Sequence, residues 1–308
     1  MNRILVIRGG AIGDFVVTLP ALKLLRDRFP NSHFEIIGYR HIAAVAEKRF
    51  YADAVRSLES ASLAKFFARD SELPVELTRY FGSFDLIASY LYDPDGIFET
   101  NVIKGGGGRF ITGPSRLDGS EHAALQLARP LGALGLSLPS PAAQLFPSDQ
   151  DRDAIKDLLE PTRESIALHP GSGSETKNWP VANWIELGDS LLAQGFRLIV
   201  ATGEADESRT LTLKAAWEGK PVRFAENLPL PHLAALLEDS IFVGHDSGVS
   251  HIAAAVGARC LLLFGPTDPA IWAPANEKVT VLCAPEGRME RLGAEAVATA
   301  LGAVLRSA

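Results

Sequence analysis

Cysteine is scarce in this chain: Cys260 and Cys283 are the only two in 308 residues. That count, with no metal-ligand spacing between them, excludes a disulfide scaffold and a cysteine-ligated metal centre. Both are expected to be reduced, buried thiols of a cytosolic protein. No run of 18 or more apolar residues occurs, because His245, Asp246, His251 and Arg259 interrupt the most apolar C-terminal region. A membrane-spanning helix is therefore not expected. An excess of positive charge is missing too: 30 Lys and Arg face 37 Asp and Glu, a net charge of −7. Nucleic acid is not an expected partner, since a binder would carry a basic domain. The first residues run straight into a strand pattern, and no leader peptide is expected.

Turn formers and apolar residues are plentiful, with 27 Gly, 19 Pro and 47% hydrophobic residues, enough to build two domains of ordinary size. The first half alternates buried-strand patterns with amphipathic helices. Residues 3–8, 33–38, 53–58, 84–91 and 108–113 read as strands, and 19–29 and 41–50 as helices. Residues 120–135 read as a helix kinked at Pro130. From Leu136 to Gln150 the pattern breaks into a Pro- and Ser-rich linker. The alternation then restarts, ending in a helix over 293–306. Two such series predict an α/β protein of two doubly wound, Rossmann-like domains, 1–148 and 149–308, with the last helix able to pack back on the first domain. Ligands of such sheets bind beyond the carboxyl ends of the strands, and the cleft between two facing domains is the expected site.

The turns after the strands carry the chemistry. The first, Ile4 to Asp14 (ILVIRGGAIGD), fails both the dinucleotide spacing, which would need Gly at 11 and 14, and the phosphate-loop spacing. Its glycines permit a sharp turn that projects Asp14; capping a helix is the competing job for that aspartate. The second, 168–180 (LHPGSGSETKNWP), offers Ser172, Gly173 and Ser174 as hydroxyl and N–H donors to phosphate, with Lys177 as a mobile charge. Ordinary loop residues would look the same. After the strand ending near residue 201, Glu204 or Glu207 can accept the hydroxyls of a ribose, or simply favour a helix N-terminus. The fourth turn, 242–257 (FVGHDSGVSHIAAAVG), places Asp246, Ser247, Gly248 and His251 where a small-residue helix begins, an arrangement suited to an anion. The rigid turn Gly265–Pro269 is expected to border the same pocket, without assigned chemistry.

In combination, ILVIRGGAIGD, HPGSGSETKNWP and VGHDSGVSHIAAAVG…LLLFGPTDP resemble glycosyltransferase family 9, the ADP-heptose:lipopolysaccharide heptosyltransferases. The resemblance implies a GT-B fold, with the nucleotide-sugar donor held by the C-terminal domain and the acceptor by the N-terminal one. It implies inverting transfer of heptose to a lipopolysaccharide inner-core acceptor, with no metal and no cofactor. Asp14 matches the family's general base. Ser172, Gly173, Ser174, Lys177, Asp246, Ser247, Gly248 and His251 match donor and phosphate contacts, and the family's G-x-x-x-E spacing selects Glu207 for the ribose.

A lipid-linked saccharide acceptor implies a cytoplasmic protein in transient, peripheral contact with the inner face of the inner membrane. The first 56 residues carry nine Lys and Arg against five Asp and Glu, which would favour anionic lipid. His245 stands where the family more usually has Asn or a small residue, and the glycine run 105–108 is unfamiliar. A family member using another nucleotide sugar or acceptor, a GT-B-like nucleotide-sugar epimerase, and a non-catalytic nucleotide-sugar-binding protein are the alternatives.

Overall fold

The computed structural model describes residues 1–158 and 165–306. The chain divides into two compact units between Pro141 and Ala142. The first unit is built on five parallel strands: β1 (Arg3–Arg8), β2 (His33–Gly38), β3 (Ala54–Ser57), β4 (Leu86–Ser89) and β5 (Arg109–Thr112). Their order is β3-β2-β1-β4-β5. The second unit has six: β6 (Ser165–His169), β7 (Arg197–Thr202), β8 (Val222–Glu226), β9 (Ile241–His245), β10 (Arg259–Phe264) and β11 (Val279–Cys283), in the order β11-β10-β9-β6-β7-β8. Among the described residues every strand pair is parallel. In each sheet the chain winds outward from its first strand, then returns to pair with that strand's free side. The reversal lies between β1 and β4 in one unit and between β6 and β9 in the other, the switch points where such sheets bind ligands.

The strands are apolar because helices cover both faces of a parallel sheet. In the first unit Phe66, Phe81, Phe84 and Phe98 pack together over Leu5, Ile7 and Ile87. In the second, Trp179, Trp184, Leu187 and Leu191 lie with Val297, Leu301 and Val304 over the strands. Each such side chain contributes about 1.5–3 kcal/mol when fully buried. The closing helix, Ala294–Arg306, turns its Val297, Leu301 and Val304 stripe into this second core. The division between units falls earlier than residue 148 because the linker's end belongs to the second unit. Ala143 and Leu145 are buried, with Leu145 N–H bonded to Ala255 O at 2.8 Å and Asn276 Nδ2 to Ala143 O at 2.9 Å.

Three local expectations change. The helix expected over 41–50 is one turn long, Arg40–Ala43. The Arg49 guanidinium takes the Ala44 and Glu47 carbonyls at 2.8 and 2.7 Å, and Lys48 turns to a φ of 53°, ending the helix. The Pro130 kink is a change of pitch: an α-helix over Ala123–Ala128 tightens into 3₁₀ turns over Arg129–Leu134. Cys260 is buried as expected, but Cys283 is exposed, because it ends the edge strand β11. The glycine run is structural: Gly108 lies directly against the Phe84 and Asp85 carbonyls, leaving no room for a side chain, and its N–H donates to Phe84 O at 3.1 Å.

Candidate active site

In the first unit, β1 feeds a tight turn and the short helix Ile12–Val16. Gly10 makes the turn at a φ of 95°, a left-handed conformation costly for any side chain. Asp14 is the third residue of that helix, not its cap. Its Oδ2 reaches back to accept the Ala11 N–H at 2.8 Å. Oδ1 lies 3.6 Å from Arg8 Nη2, and the side chain is 39% exposed. The competing capping job is thus partly filled: one oxygen is anchored to the main chain and the carboxylate remains open to solvent.

Arg8, which sequence reasoning passed over, fixes this geometry from below. Its buried guanidinium donates to Asp14 O at 3.1 Å and to Thr18 Oγ1 at 3.0 Å, and it lies over the Tyr90 ring at 5.9 Å. Burial pulls the Arg8 pKa down, and the nearby Asp14 charge opposes that. An arginine remains charged through such shifts. The signal was available, since a charged residue closing an otherwise apolar strand has to find a partner.

In the second unit, the loops after β6 and β9 meet because those strands are neighbours, with His169 paired to Gly244. Lys177 Nζ donates to Asp246 Oδ2 at 2.6 Å, and Thr267 Oγ1 donates to the same oxygen at 2.7 Å. Asp246 is buried and the Lys177 side chain is 28% exposed. A lysine tethered to one carboxylate and still reached by water can swing to an arriving anion. Thr267 comes from the rigid turn after β10, so that turn does border the site, and it supplies a contact that its sequence did not reveal. Asp268 there caps the helix Pro269–Trp272, accepting the Ala270 N–H at 2.9 Å.

The remaining donor candidates hold their own loops. Ser172 Oγ donates to Ser174 O at 2.8 Å, and Ser174 Oγ pairs with Thr176 Oγ1 at 3.0 Å. Ser247 caps the helix Gly248–Ala255, its Oγ accepting the Ser250 N–H at 3.3 Å. The first N–H groups of an α-helix precede its i→i−4 ladder, and the dipole adds positive potential there. His251 sits buried on the same turn.

Beside this site, after β7, a cavity of about 310 Å³ is lined by Thr202, Gly203, Glu204, Glu207, Leu211 and Asn227, among others. Glu204 and Glu207 both face it, so geometry leaves open the choice that family spacing made. Arg209, two residues on, pairs with Glu175 of the Lys177 loop and lies 3.9 Å from Asp206. The structure therefore gathers Ser172, Gly173, Ser174, Lys177, Asp246, Ser247, Gly248, His251 and Glu207 at the carboxyl ends of adjacent strands in one unit. Asp14 occupies the equivalent place in the other unit.

The family described as glycosyltransferase family 9 (heptosyltransferase) matches residues 122–300. Lipopolysaccharide heptosyltransferase 1 of Pseudomonas aeruginosa is 27% identical over 295 residues, covering 87% of this chain and 79% of that protein. A glycosyl transferase family 9 structure from Veillonella parvula superposes with a TM-score of 0.81 at 19% identity, covering 100% of this chain and 98% of the other. The Escherichia coli heptosyltransferase WaaC with ADP gives a TM-score of 0.74 at 20% identity, covering 98% and 99%. At these identities the structural likeness establishes the fold, GT-B with two parallel-sheet α/β domains.

Proposed function

Since this chain belongs to glycosyltransferase family 9, the heptosyltransferases, and is a glycosyltransferase, we propose that it transfers heptose from ADP-heptose to a lipopolysaccharide inner-core acceptor, with inversion and without a metal. The observation that carries the reading is the tethered cation at the second switch point: Lys177 on Asp246, beside a helix N-terminus and one strand from a cavity holding two carboxylates. Glu207 accepts the ribose hydroxyls there. The diphosphate takes the Lys177 ammonium, the N–H groups around Gly248 and the Ser172–Ser174 loop. Asp246 and His251 hold the sugar side of the donor.

In the chemical step the acceptor hydroxyl gives its proton to the Asp14 carboxylate. Its oxygen lone pair forms the new bond at the anomeric carbon, and the bond from that carbon to the diphosphate oxygen breaks. Attack from the face opposite the leaving group inverts configuration. The electron pair departs on ADP, and Lys177 with the helix N-terminus neutralises that charge, the task a metal would otherwise perform. The Arg8 and Ala11 contacts keep the Asp14 carboxylate in one orientation, which suits a base that must meet a hydroxyl at hydrogen-bond distance. No described helix is long and apolar enough to cross a membrane. The lipid-linked acceptor of this reading has the protein meet its substrate peripherally, at the cytoplasmic face.

A donor screen tests this. The full chain is incubated with ADP-heptose, ADP-glucose, and UDP- and GDP-sugars plus an inner-core acceptor, and nucleotide release is followed with and without EDTA. ADP-heptose is expected to be preferred, EDTA to leave the rate unchanged, and the product anomer to be inverted by NMR. A preference for a UDP-sugar would defeat the donor assignment. Sugar products released without acceptor would make the protein an epimerase. Co-sedimentation with anionic vesicles, absent with neutral ones, tests the membrane contact.

A further inference from the structure

The loop that carries Ser172, Ser174 and Lys177 leaves β6 after His169 and enters the next helix at Val181. Both of its ends meet one side chain from the neighbouring strand. His245, the last residue of β9, is wholly buried. Its Nε2 lies 2.8 Å from the Trp179 main-chain nitrogen, and its Nδ1 lies 3.3 Å from Gly171 O. The Trp179 N–H can only donate, so Nε2 is the unprotonated nitrogen. The ring proton is then on Nδ1, facing the Gly171 carbonyl. One neutral imidazole thus supplies the single donor and single acceptor that the two loop ends require.

The rest of the surroundings hold the ring in place. The Trp184 indole meets it edge-on at 5.3 Å, and Trp184 in turn packs edge-on against Trp179 at 5.2 Å. Ser250 Oγ donates to the His245 carbonyl. The next residue is Asp246, the partner of Lys177. Burial pushes the His245 imidazole down to about 3, so the ring is neutral at any working pH. His245 cannot touch a donor sugar nucleotide from this position; it acts through the loop.

We propose that His245 is a positioning residue, a brace that joins Gly171 to Trp179 and so holds the Ser172–Lys177 segment in the shape that receives the donor's diphosphate. The inference rests on the donor reading above. Without the brace, the segment between Gly171 and Trp179 samples many shapes, and the entropy of ordering it is charged to nucleotide binding.

Three measurements on the full chain test it. Calorimetry with ADP alone compares wild type with His245→Phe, which keeps a ring but offers neither hydrogen bond, and with His245→Asn, whose amide offers N–H donors and a carbonyl acceptor. Two lost hydrogen bonds are expected to weaken ADP by about tenfold in His245→Phe. His245→Asn is expected to stay within about threefold of wild type. Steady-state kinetics should show the donor KM rising in His245→Phe while the acceptor KM holds. A folded His245→Phe that binds ADP as wild type does would overturn the brace, as would equal losses in both variants.

Should His245→Phe fail to fold, hydrogen exchange of the unsubstituted chain decides. The Trp179 amide is expected to exchange as slowly as the amides of β6, and exchange at the rate of an open loop would refute the proposal. That readout needs no substrate, so it stands apart from any failure of the donor assignment.

Discussion

Replacing Gly10 by alanine tests the link between the opening turn and the chemistry. A Cβ built at Gly10 would lie 2.7 Å from Asp14 Oδ2, 2.9 Å from its Cβ and 3.0 Å from its Cγ. Comfortable contacts between such atoms begin near 3.5 Å, so the carboxylate must retreat by roughly half an ångström or more. The φ of 95° adds strain of about 1–2 kcal/mol for a residue with a Cβ. Weakening the charge-assisted bond from the Ala11 N–H to Oδ2 adds a comparable amount. Gly10→Ala is therefore expected to lose about 2–4 kcal/mol of stability.

A misplacement of about 1 Å in a reacting group costs up to about 10²-fold in rate, and removing a general base costs about 10²–10⁴-fold. The kcat of Gly10→Ala should fall by about 10–10²-fold, between wild type and Asp14→Asn, with ADP affinity unchanged. Gly9→Ala is the control: its Cβ would meet only flexible side-chain tips, Leu58 at 3.3 Å and Leu91 at 3.7 Å, and near-normal turnover is expected. Guanidinium melts and ADP release are the assays. A folded Gly10→Ala with wild-type kcat would show that the position of the Asp14 carboxylate does not matter, and would remove it as the base.

Other outcomes follow from the second unit. Lys177→Met should weaken ADP binding by about 10–10²-fold and lower stability, because it leaves Asp246 buried without its cation. Adding Asp246→Asn should restore the stability but not the binding. Glu207→Gln should raise the donor KM by about tenfold while Glu204→Gln leaves it alone; equal effects would show that the cavity uses both acids.

Stability should also depend on pH through His245. Its pKa falls from 6.5 in the unfolded chain to about 3 in the folded one, through burial, with His169, Arg209 and Asp246 the charged or titratable groups around it. Between those values the unfolded state binds the extra proton. The stabilisation is whole above about pH 6.5 and is lost on acidification, by about 1.4 kcal/mol per pH unit. His169, also pushed down by burial, acts in the same direction. Denaturation at pH 7 and pH 5 should show a shallower loss in His245→Asn, and an unchanged slope would argue against a buried neutral imidazole.

Much of this protein was legible in its sequence because the signals are local. Alternating apolar runs give two parallel sheets, since a strand covered on both faces must be apolar throughout and a crossover helix must be amphipathic. The polar turns after β1, β6, β7 and β9 marked the candidate residues for a similar reason: strands end where the chain can leave the core. Covalent neighbours alone, however, do not say which turns meet.

Strand order made β6 and β9 adjacent, and only that brings Lys177 onto Asp246 and seats His245 between Gly171 and Trp179. The sequence presented His245 as a departure from a familiar pattern; the fold makes it a bridge across a loop some 70 residues earlier in the chain. Arg8 and Thr267 were passed over likewise, because their partners are chosen by packing. Periodicity and turn chemistry are written along the chain, whereas hydrogen-bond partners are set by the distances that remain after the sheets have formed.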